Sequence, residues 1–159
     1  MKRLFITRHG QAVSRAPIDE ARPLTERGQT EVRRIWELLA GEGIAPVRLV
    51  SSPYIRARQT AAEISSVYGG LAVIETPLLV PEADPEQMLE WLLREQDPGE
   101  LVLVTHMPLA GLLAGLLCDG RRGSHVPFET GAVAALELEV AAAGAGRLLW
   151  LRTPAEVFY

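Results

Sequence analysis

Hydrophobic positions fall into two patterns that alternate along the chain. Short runs of consecutive apolar residues are typical of buried strands, and apolar residues that recur every three or four positions are typical of helices. The short runs predict strands over residues 4–7, 47–51, 71–74, 101–105, 132–138 and 148–151. The run at 101–105 is apolar without alternation, which indicates a central strand covered on both faces. Strands that alternate with helices predict an α/β fold with helices packed against a mostly parallel sheet.

Capping residues mark where the first two helices begin. Thr25 is a suitable N-cap for an amphipathic helix that ends near Gly41. Ser52 followed by Pro53 predicts a second N-cap with proline as the first helical residue. The second helix is expected to bury the stripe Ala57, Ala61, Ile64 and Tyr68, and to end at Gly69 and Gly70.

Two more helices are predicted in the second half of the chain. The order Asp84, Pro85, Glu86, Gln87 is that of a capping box and opens a helix with Met88, Leu89 and Leu92 inward. Asp97, Pro98 and Gly99 are predicted to form a turn. The helix that follows Pro108 is apolar nearly all round, so we expect it to be buried.

Length and composition limit what the chain can be. The sequence of 159 residues contains no repeat or linker, so we predict a single domain over residues 1–159. The apolar stretch at 101–118 is interrupted by His106 and Pro108 and is too short beyond them to span a bilayer. The first apolar run is too short for a signal peptide. A net charge of −4 disfavours nucleic acid as a partner. The short apolar runs and the single cysteine, Cys118, predict a cytoplasmic protein that does not bind membranes.

Basic and imidazole side chains follow three of the predicted strands. Arg8 and His9 follow the first strand, Arg56 lies in the first turns of the helix after the second, and His106 follows the strand at 101–105. In parallel sheets such residues meet beyond the carboxyl ends of the strands, where ligands bind. The planar guanidinium group matches phosphoryl oxygens, and a helix N-terminus favours anions. The pattern predicts a phosphoryl-binding site.

Four sequence segments carry a resemblance to a known family. As a set they resemble the histidine phosphatase superfamily, and within it the small SixA-type phosphohistidine phosphatases. The resemblance implies a three-layer α/β/α sandwich of the phosphoglycerate mutase-like type, with one antiparallel strand in an otherwise parallel sheet. The segments are Thr7-Arg8-His9-Gly10, Arg22-Pro23-Leu24-Thr25, Ser52-Pro53-Tyr54-Ile55-Arg56-Ala57 with Gln59-Thr60, and Thr105-His106-Met107-Pro108-Leu109.

The same resemblance implies roles for individual residues. It makes His9 the nucleophile, places Arg8, Arg56 and His106 in the phosphate pocket, and adds Arg22 as a further contributor. A nucleophilic imidazole must be neutral, and the ordinary histidine pKa is about 6.5. The positive charges of Arg8 and Arg56 disfavour the imidazolium form, so we expect His9 to be neutral.

The protonation of His106 during the reaction stays open. His106 either takes up a proton when a phosphate dianion arrives or donates from its neutral N–H, and the sequence is compatible with both.

The sequence offers no metal site at these residues. No carboxylate or thiol has a spacing that matches the histidines as metal ligands, and two arginines would repel a cation. We therefore expect neither a metal nor another cofactor.

The acid that would protonate a leaving group is weakly represented. Glu82 is the candidate within reach of the pocket, because Asp84 is better explained as an N-cap, and Gln11 is a further candidate for substrate contact. Imidazole is a better leaving group than an alkoxide, and no insertion is long enough to form a lid. These features favour a phosphohistidine protein as substrate. The alternative is a broad-specificity phosphomonoesterase that acts on a small phosphorylated metabolite with Glu82 as its acid.

A third hypothesis is a phosphate-binding module without activity. It predicts that at least one residue of a set of four is missing, and the sequence contains them all: His9, Arg8, Arg56 and His106.

Overall fold

A computed structural model describes residues 2–95 and 99–158. These residues form one six-stranded sheet with the strand order β3-β2-β4-β1-β5-β6. The strands are β1 Lys2–Arg8, β2 Arg48–Ser51, β3 Ala72–Glu75, β4 Leu101–Thr105, β5 Val133–Leu138 and β6 Gly146–Arg152. The helices are α1 Glu26–Gly41, α2 Ile55–Val67, α3 Pro85–Arg94, α4 Leu109–Asp119 and α5 Pro154–Phe158. Of the predicted turn at Asp97, Pro98 and Gly99, the first two residues lie outside the described ranges.

The sheet is mostly parallel, with one strand that runs against the others. β1 pairs in parallel with β4, and β2 pairs in parallel with both β3 and β4. β5 is antiparallel to its two neighbours, β1 and β6. The predicted α/β class and the single antiparallel strand are both confirmed.

Helices cover both faces of the sheet and give it three layers. On one face, α3 and α4 pack against side chains such as Leu4, Ile6 and Leu103. On the other face, α1 and α2 pack against Phe5 and Val102. Because successive side chains of a strand point to opposite faces, β1 and β4 contribute to both cores. Their apolar side chains are almost fully buried, as predicted for a central strand.

The caps of α1 and α3 agree with the sequence. The Thr25 hydroxyl accepts a hydrogen bond from the Gly28 amide at 2.9 Å, and Asp84 Oδ1 accepts one from the Glu86 amide at 2.9 Å. Each interaction satisfies an amide that the helix itself leaves unpaired. Met88 is fully buried, as the inward stripe of α3 requires.

The predicted start of α2 is wrong by two residues. Its N-cap is Tyr54, whose side chain makes no capping hydrogen bond, and the helix begins at Ile55. Ser52 still accepts a hydrogen bond from the Tyr54 amide at 3.2 Å, but its hydroxyl also contacts His106. The Ser52 hydroxyl therefore forms a hydrogen bond with His106, which follows β4, and does not cap the helix. This contact is not apparent from the local sequence.

Register brings the ends of β1, β4 and β2 together. Arg8 of β1 lies opposite Thr105 of β4, and Ser51 of β2 lies opposite Val104. The hydrogen bonds continue one residue further, from the His9 amide to the Thr105 carbonyl and from the Ser52 amide to the Val104 carbonyl, both at 3.0 Å. His9, His106 and Ser52 thus leave adjacent strands at one edge of the sheet.

Candidate active site

A cavity of about 440 Å³ opens at this edge of the sheet. Its lining includes all seven residues that the sequence singles out. They are Arg8, His9, Gln11, Arg22, Arg56, Glu82 and His106. Residues from four separate parts of the chain therefore meet in one volume, as the strand order requires.

The ring of His9 is held in one orientation by hydrogen bonds on both nitrogens. His9 Nδ1 lies 2.7 Å from the Gly10 carbonyl oxygen, which can only accept, so Nδ1 carries the proton. Arg56 Nε lies 3.3 Å from His9 Nε2 and can only donate, so Nε2 presents its lone pair. The two contacts select the same neutral tautomer independently, with the free electron pair on Nε2.

Burial and charge keep this imidazole neutral. His9 is only 5% exposed, and burial is the main cause that lowers its pKa to about 4. The hydrogen bond to the Gly10 carbonyl is the next largest cause and raises the pKa, and the positive charges of Arg56, Arg8 and Arg22 then lower it. The expected direction is confirmed, although burial contributes more than the arginines do.

Arg8 and Arg56 are anchored by backbone and side-chain acceptors. Arg8 Nη1 donates to the Phe128 carbonyl at 2.9 Å, while Arg8 Nε is buried without a hydrogen-bond partner in the described structure. Arg56 donates through Nη1 to the Asp19 carbonyl at 2.7 Å and through Nη2 to the Asp19 carboxylate at 3.1 Å. Both guanidinium groups are thereby fixed at one end, and each directs a remaining N–H toward the site.

The ring of His106 packs beside that of His9 at the base of the site. The two ring centroids are 5.0 Å apart, and the ring of Tyr54 packs on the other side of His106 at 4.9 Å. His106 Nε2 lies 2.7 Å from the Ser52 hydroxyl, and Nδ1 is buried with no partner among the described residues. Burial is the main cause that lowers the His106 pKa to about 2, and the positive charge of Arg56 lowers it further. This ring is therefore neutral as well.

The rim of the cavity includes a carboxylate that sequence reasoning missed. Asp19 lies in a one-turn 3₁₀ helix, Asp19–Ala21, in the segment between β1 and α1. Its carboxylate bridges two arginines, accepting from Arg22 Nε at 2.8 Å and from Arg56 Nη2 at 3.1 Å. The hydrogen bond from Arg22 is the main cause that holds the pKa of Asp19 below its usual range. No spacing rule in the sequence pointed to this residue as part of the site, because its contact with Arg56 spans 37 positions of the chain.

The other rim residues differ in how firmly they are held. Arg22 donates to the Val13 carbonyl at 3.0 Å, which fixes it in the wall of the cavity. The Gln11 amide oxygen accepts from the Thr25 hydroxyl at 2.8 Å, so this side chain also supports the start of α1. Glu82 is exposed and makes no hydrogen bond to any residue within 2–95 or 99–158.

Two nearby polar residues lie outside the cavity. Arg58 pairs with Glu75 at 2.7 Å on the exposed side of α2 and therefore points away from the cavity. His125 is exposed and packs next to Gly111 of α4, where a Cβ atom would come within 2.8 Å of its ring. Neither residue lines the site.

Two broader features of the described chain concern metals and membranes. Within residues 2–95 and 99–158, no group of three or more histidine, cysteine or acidic side chains is arranged to hold a metal ion. None of the helices in those ranges combines the length and apolar character needed to cross a bilayer.

The chain resembles known proteins in sequence. The family model of the Histidine phosphatase superfamily (branch 1) matches residues 4–80. Phosphohistidine phosphatase SixA of Escherichia coli (strain K12) is 32% identical over 154 residues, which cover 95% of this chain and 93% of that protein.

Solved structures extend the likeness to the fold. The structure of the protein histidine phosphatase SixA complexed with tungstate matches with a TM-score of 0.89 and 30% identity, covering 98% of this chain and 99% of that one. A phosphoserine phosphatase mutant from Entamoeba histolytica matches with a TM-score of 0.76, covering 99% and 100% of the two chains. At 13% identity, the second likeness concerns the fold alone.

Proposed function

The chain belongs to the histidine phosphatase superfamily and is a phosphatase, and from this premise we propose that it is a phosphohistidine phosphatase. It hydrolyses phosphoryl groups from a protein through a phospho-His9 intermediate. The relative that covers 95% of the chain is a phosphohistidine phosphatase by name, which supports this substrate class. The proposed roles follow the geometry of the cavity, with His9 as nucleophile and Arg8, Arg56, His106 and Arg22 as phosphoryl ligands.

The observation that carries the substrate class is the state of the carboxylates around the cavity. Among the described residues that line it, the carboxylates are Asp19 and Glu82. Asp19 is held ionised by two arginines, so it has no proton to give at neutral pH. Glu82 is exposed and is not oriented by any hydrogen bond to the described chain. An alkoxide leaving group depends on a positioned acid worth about 10²–10⁴ in rate, whereas imidazole depends on one far less.

The first proposed step transfers the phosphoryl group to the enzyme. The lone pair of His9 Nε2 attacks phosphorus, and the bond between phosphorus and the substrate imidazole nitrogen breaks. The leaving imidazole accepts a proton from water and departs neutral, and the hydroxide left behind is neutralised by the proton that the attacking water releases in the second step. Arg56 Nε, which donates to His9 Nε2 in the free protein, turns to a phosphoryl oxygen as the new bond forms.

The second proposed step regenerates the enzyme. A water molecule attacks phosphorus, the bond to His9 Nε2 breaks, and inorganic phosphate leaves. The donors around the cavity stabilise the equatorial oxygens in both steps, which is the main demand of phosphoryl transfer. Buried Arg8 Nε and His106 Nδ1 lack partners within the described chain, and a phosphoryl group bound in the cavity that Arg8 and His106 line would supply one. An unpaired buried donor typically costs about 1–3 kcal/mol, so the site favours occupation by phosphate.

A second candidate function rests on Glu82. This carboxylate lines the cavity, so it is within the region where a general acid for a small phosphomonoester would stand. A phosphomonoesterase of this kind would use the same nucleophile and the same phosphoryl ligands. The two functions differ in the substrate cleaved and in how strongly each reaction depends on Glu82.

Trapping the covalent intermediate tests the proposal. The protein is mixed with a ³²P-phosphohistidine protein and the reaction is quenched within milliseconds. The enzyme is then separated from the substrate protein and examined for alkali-stable, acid-labile label of its own. We expect label and released phosphate with the natural chain and neither with His9→Ala, because phospho-His9 cannot form. His125→Ala, at an exposed histidine outside the cavity, is the matched control and should label normally. Absence of label and phosphate, with p-nitrophenyl phosphate still cleaved, would favour the small-ester function.

A further inference from the structure

Ser52 lies at the one contact that decides which nitrogen of His106 carries a proton. Its side chain is fully buried, and His106 is 1% exposed. The Ser52 hydroxyl oxygen is 2.7 Å from His106 Nε2, well inside hydrogen-bonding distance. A buried hydroxyl next to a buried imidazole cannot exchange its partner for bulk water, so the direction of this bond is fixed by the protein.

Counting donors and acceptors gives that direction. A serine hydroxyl has one proton to donate and two lone pairs to accept with. The Tyr54 amide donates to the Ser52 oxygen at 3.2 Å and so occupies one lone pair. Among the described residues, His106 Nε2 is the acceptor in reach of the remaining hydroxyl proton. The serine proton therefore points at Nε2, and Nε2 is the unprotonated nitrogen.

We propose that Ser52 is a positioning residue that keeps the proton of neutral His106 on Nδ1, where it is donated to a phosphoryl oxygen. Nδ1 has no other partner in the described structure, and His106 lines the cavity beside His9. The proposal deepens the proposed function, since it rests on His106 as a phosphoryl ligand. It also selects one of the two roles that the sequence allows, because the ring donates without first taking up a proton.

The two histidines of the site reach the same tautomer by different means. His9 is held by the carbonyl of the next residue, a contact that its own backbone supplies. His106 depends on a side chain from the loop that follows β2, delivered by the pairing of β2 with β4. Changing Ser52 should therefore release His106 and leave His9 unchanged.

Nitrogen NMR of the histidine rings tests the proposal directly. In protein labelled with ¹⁵N-histidine, long-range correlations to the ring carbon protons distinguish a protonated nitrogen from a bare one. Signals are assigned with His106→Asn and His125→Asn. We expect Nδ1 of both His9 and His106 to be protonated in the natural protein, and His106 alone to shift toward a tautomer mixture in Ser52→Ala.

Activity provides the second readout. Losing one preorganised donor typically costs about 10²–10³ in rate, and a ring that populates the correct tautomer part of the time should lose about tenfold in kcat. Ser51→Ala is the matched control, because Ser51 is equally buried and its hydroxyl donates to the Ser52 carbonyl instead. We expect Ser51→Ala to leave the His106 tautomer unchanged. Its kcat should stay within about twofold of the natural value.

Several outcomes would overturn the assignment. A protonated Nε2 on His106 in the natural protein would do so, and so would a Ser52→Ala variant whose His106 signals do not move. If the tautomers are as expected but phosphohistidine is not cleaved, the proposed substrate is wrong and the role of Ser52 stands. The NMR result and the labelling result are therefore independent.

Discussion

The floor and the rim of the cavity are built in different ways. On the floor, His9, Arg56 and His106 are each no more than 5% exposed, and two of them directly follow neighbouring strands. On the rim, the side chain of Asp19 is 53% exposed and Glu82 is also exposed. Rim residues come from loops, where sequence and conformation vary more readily. The contrast supports the proposal that the buried floor carries out phosphoryl transfer and that the exposed rim selects the substrate.

The largest effect that would sharpen this comparison is expected on the floor. Arg56→Ala removes a guanidinium group that contacts both His9 and Asp19, and should lower kcat/KM by about 10²–10³. Steady-state hydrolysis of a phosphohistidine protein measures the loss. Arg58→Ala, two residues along the same helix on its exposed face, is the control and should change kcat/KM by less than about twofold. Equal losses in both variants would mean that helix stability, and not the floor, is being measured.

An intermediate effect is expected in the pH dependence. Because the pKa of His9 is lowered to about 4, the nucleophile should remain neutral well below the ordinary histidine range. At about pH 5.5, kcat/KM should stay within about twofold of its neutral-pH value, where an ordinary histidine would lose about tenfold. Rates are corrected for uncatalysed hydrolysis of phosphohistidine. A kinetic acid limb near pH 6.5 that follows His9 in an NMR titration would contradict the buried-floor description.

The same lowered pKa has a consequence for folding stability. The unfolded chain binds the proton of His9 at a higher pH than the folded chain does, so acid favours unfolding. This contribution is present above the ordinary histidine pKa and is lost as pH falls from there toward 4. His106 acts in the same direction, since its folded pKa is about 2. Each histidine adds a slope of up to about 1.4 kcal/mol per pH unit in that window.

The smallest effect is expected on the rim. Glu82→Gln should change kcat/KM for a phosphohistidine protein by less than about threefold, because imidazole leaves without a strong acid. Glu20→Gln, which removes the same charge from the neighbouring 3₁₀ turn, is the matched control. Both variants are also assayed on p-nitrophenyl phosphate and small phosphate esters. A loss of about 10²–10⁴ on esters with Glu82→Gln alone would support the phosphomonoesterase function.

Most residues of the floor could be predicted from the sequence because they lie at the ends of strands. Arg8, His9 and His106 each follow a recognisable apolar run, and a parallel sheet brings such ends to one edge. Helix caps at Thr25 and Asp84 were also predictable, since they depend on residues close in sequence. Local sequence and strand order together account for the positions of the proposed nucleophile and its nearest proposed ligands.

The remaining features depend on contacts that no local pattern encodes. Asp19 contacts Arg56 across 37 positions of sequence, and Ser52 contacts His106 across 54. In the second case the local signal was misleading, because Ser52 followed by Pro53 has the composition of a helix start. Tertiary contact outweighed the capping preference, and α2 begins at Ile55 instead. The short 3₁₀ helix around Asp19 has no sequence period long enough to predict.

The order of the strands has a consequence for how the chain can be divided. β4 lies between β1 and β2, although β1, β2 and β3 all precede it in sequence. A fragment that ends before Leu101 would leave β1 and β2 without the strand that joins them, and both edges would be open to intermolecular pairing. Activity could be recovered from two pieces only by complementation, with the second piece inserting its strand into the middle of the first. If this enzyme is divided before Leu101, both fragments must therefore be expressed together for activity to be recovered.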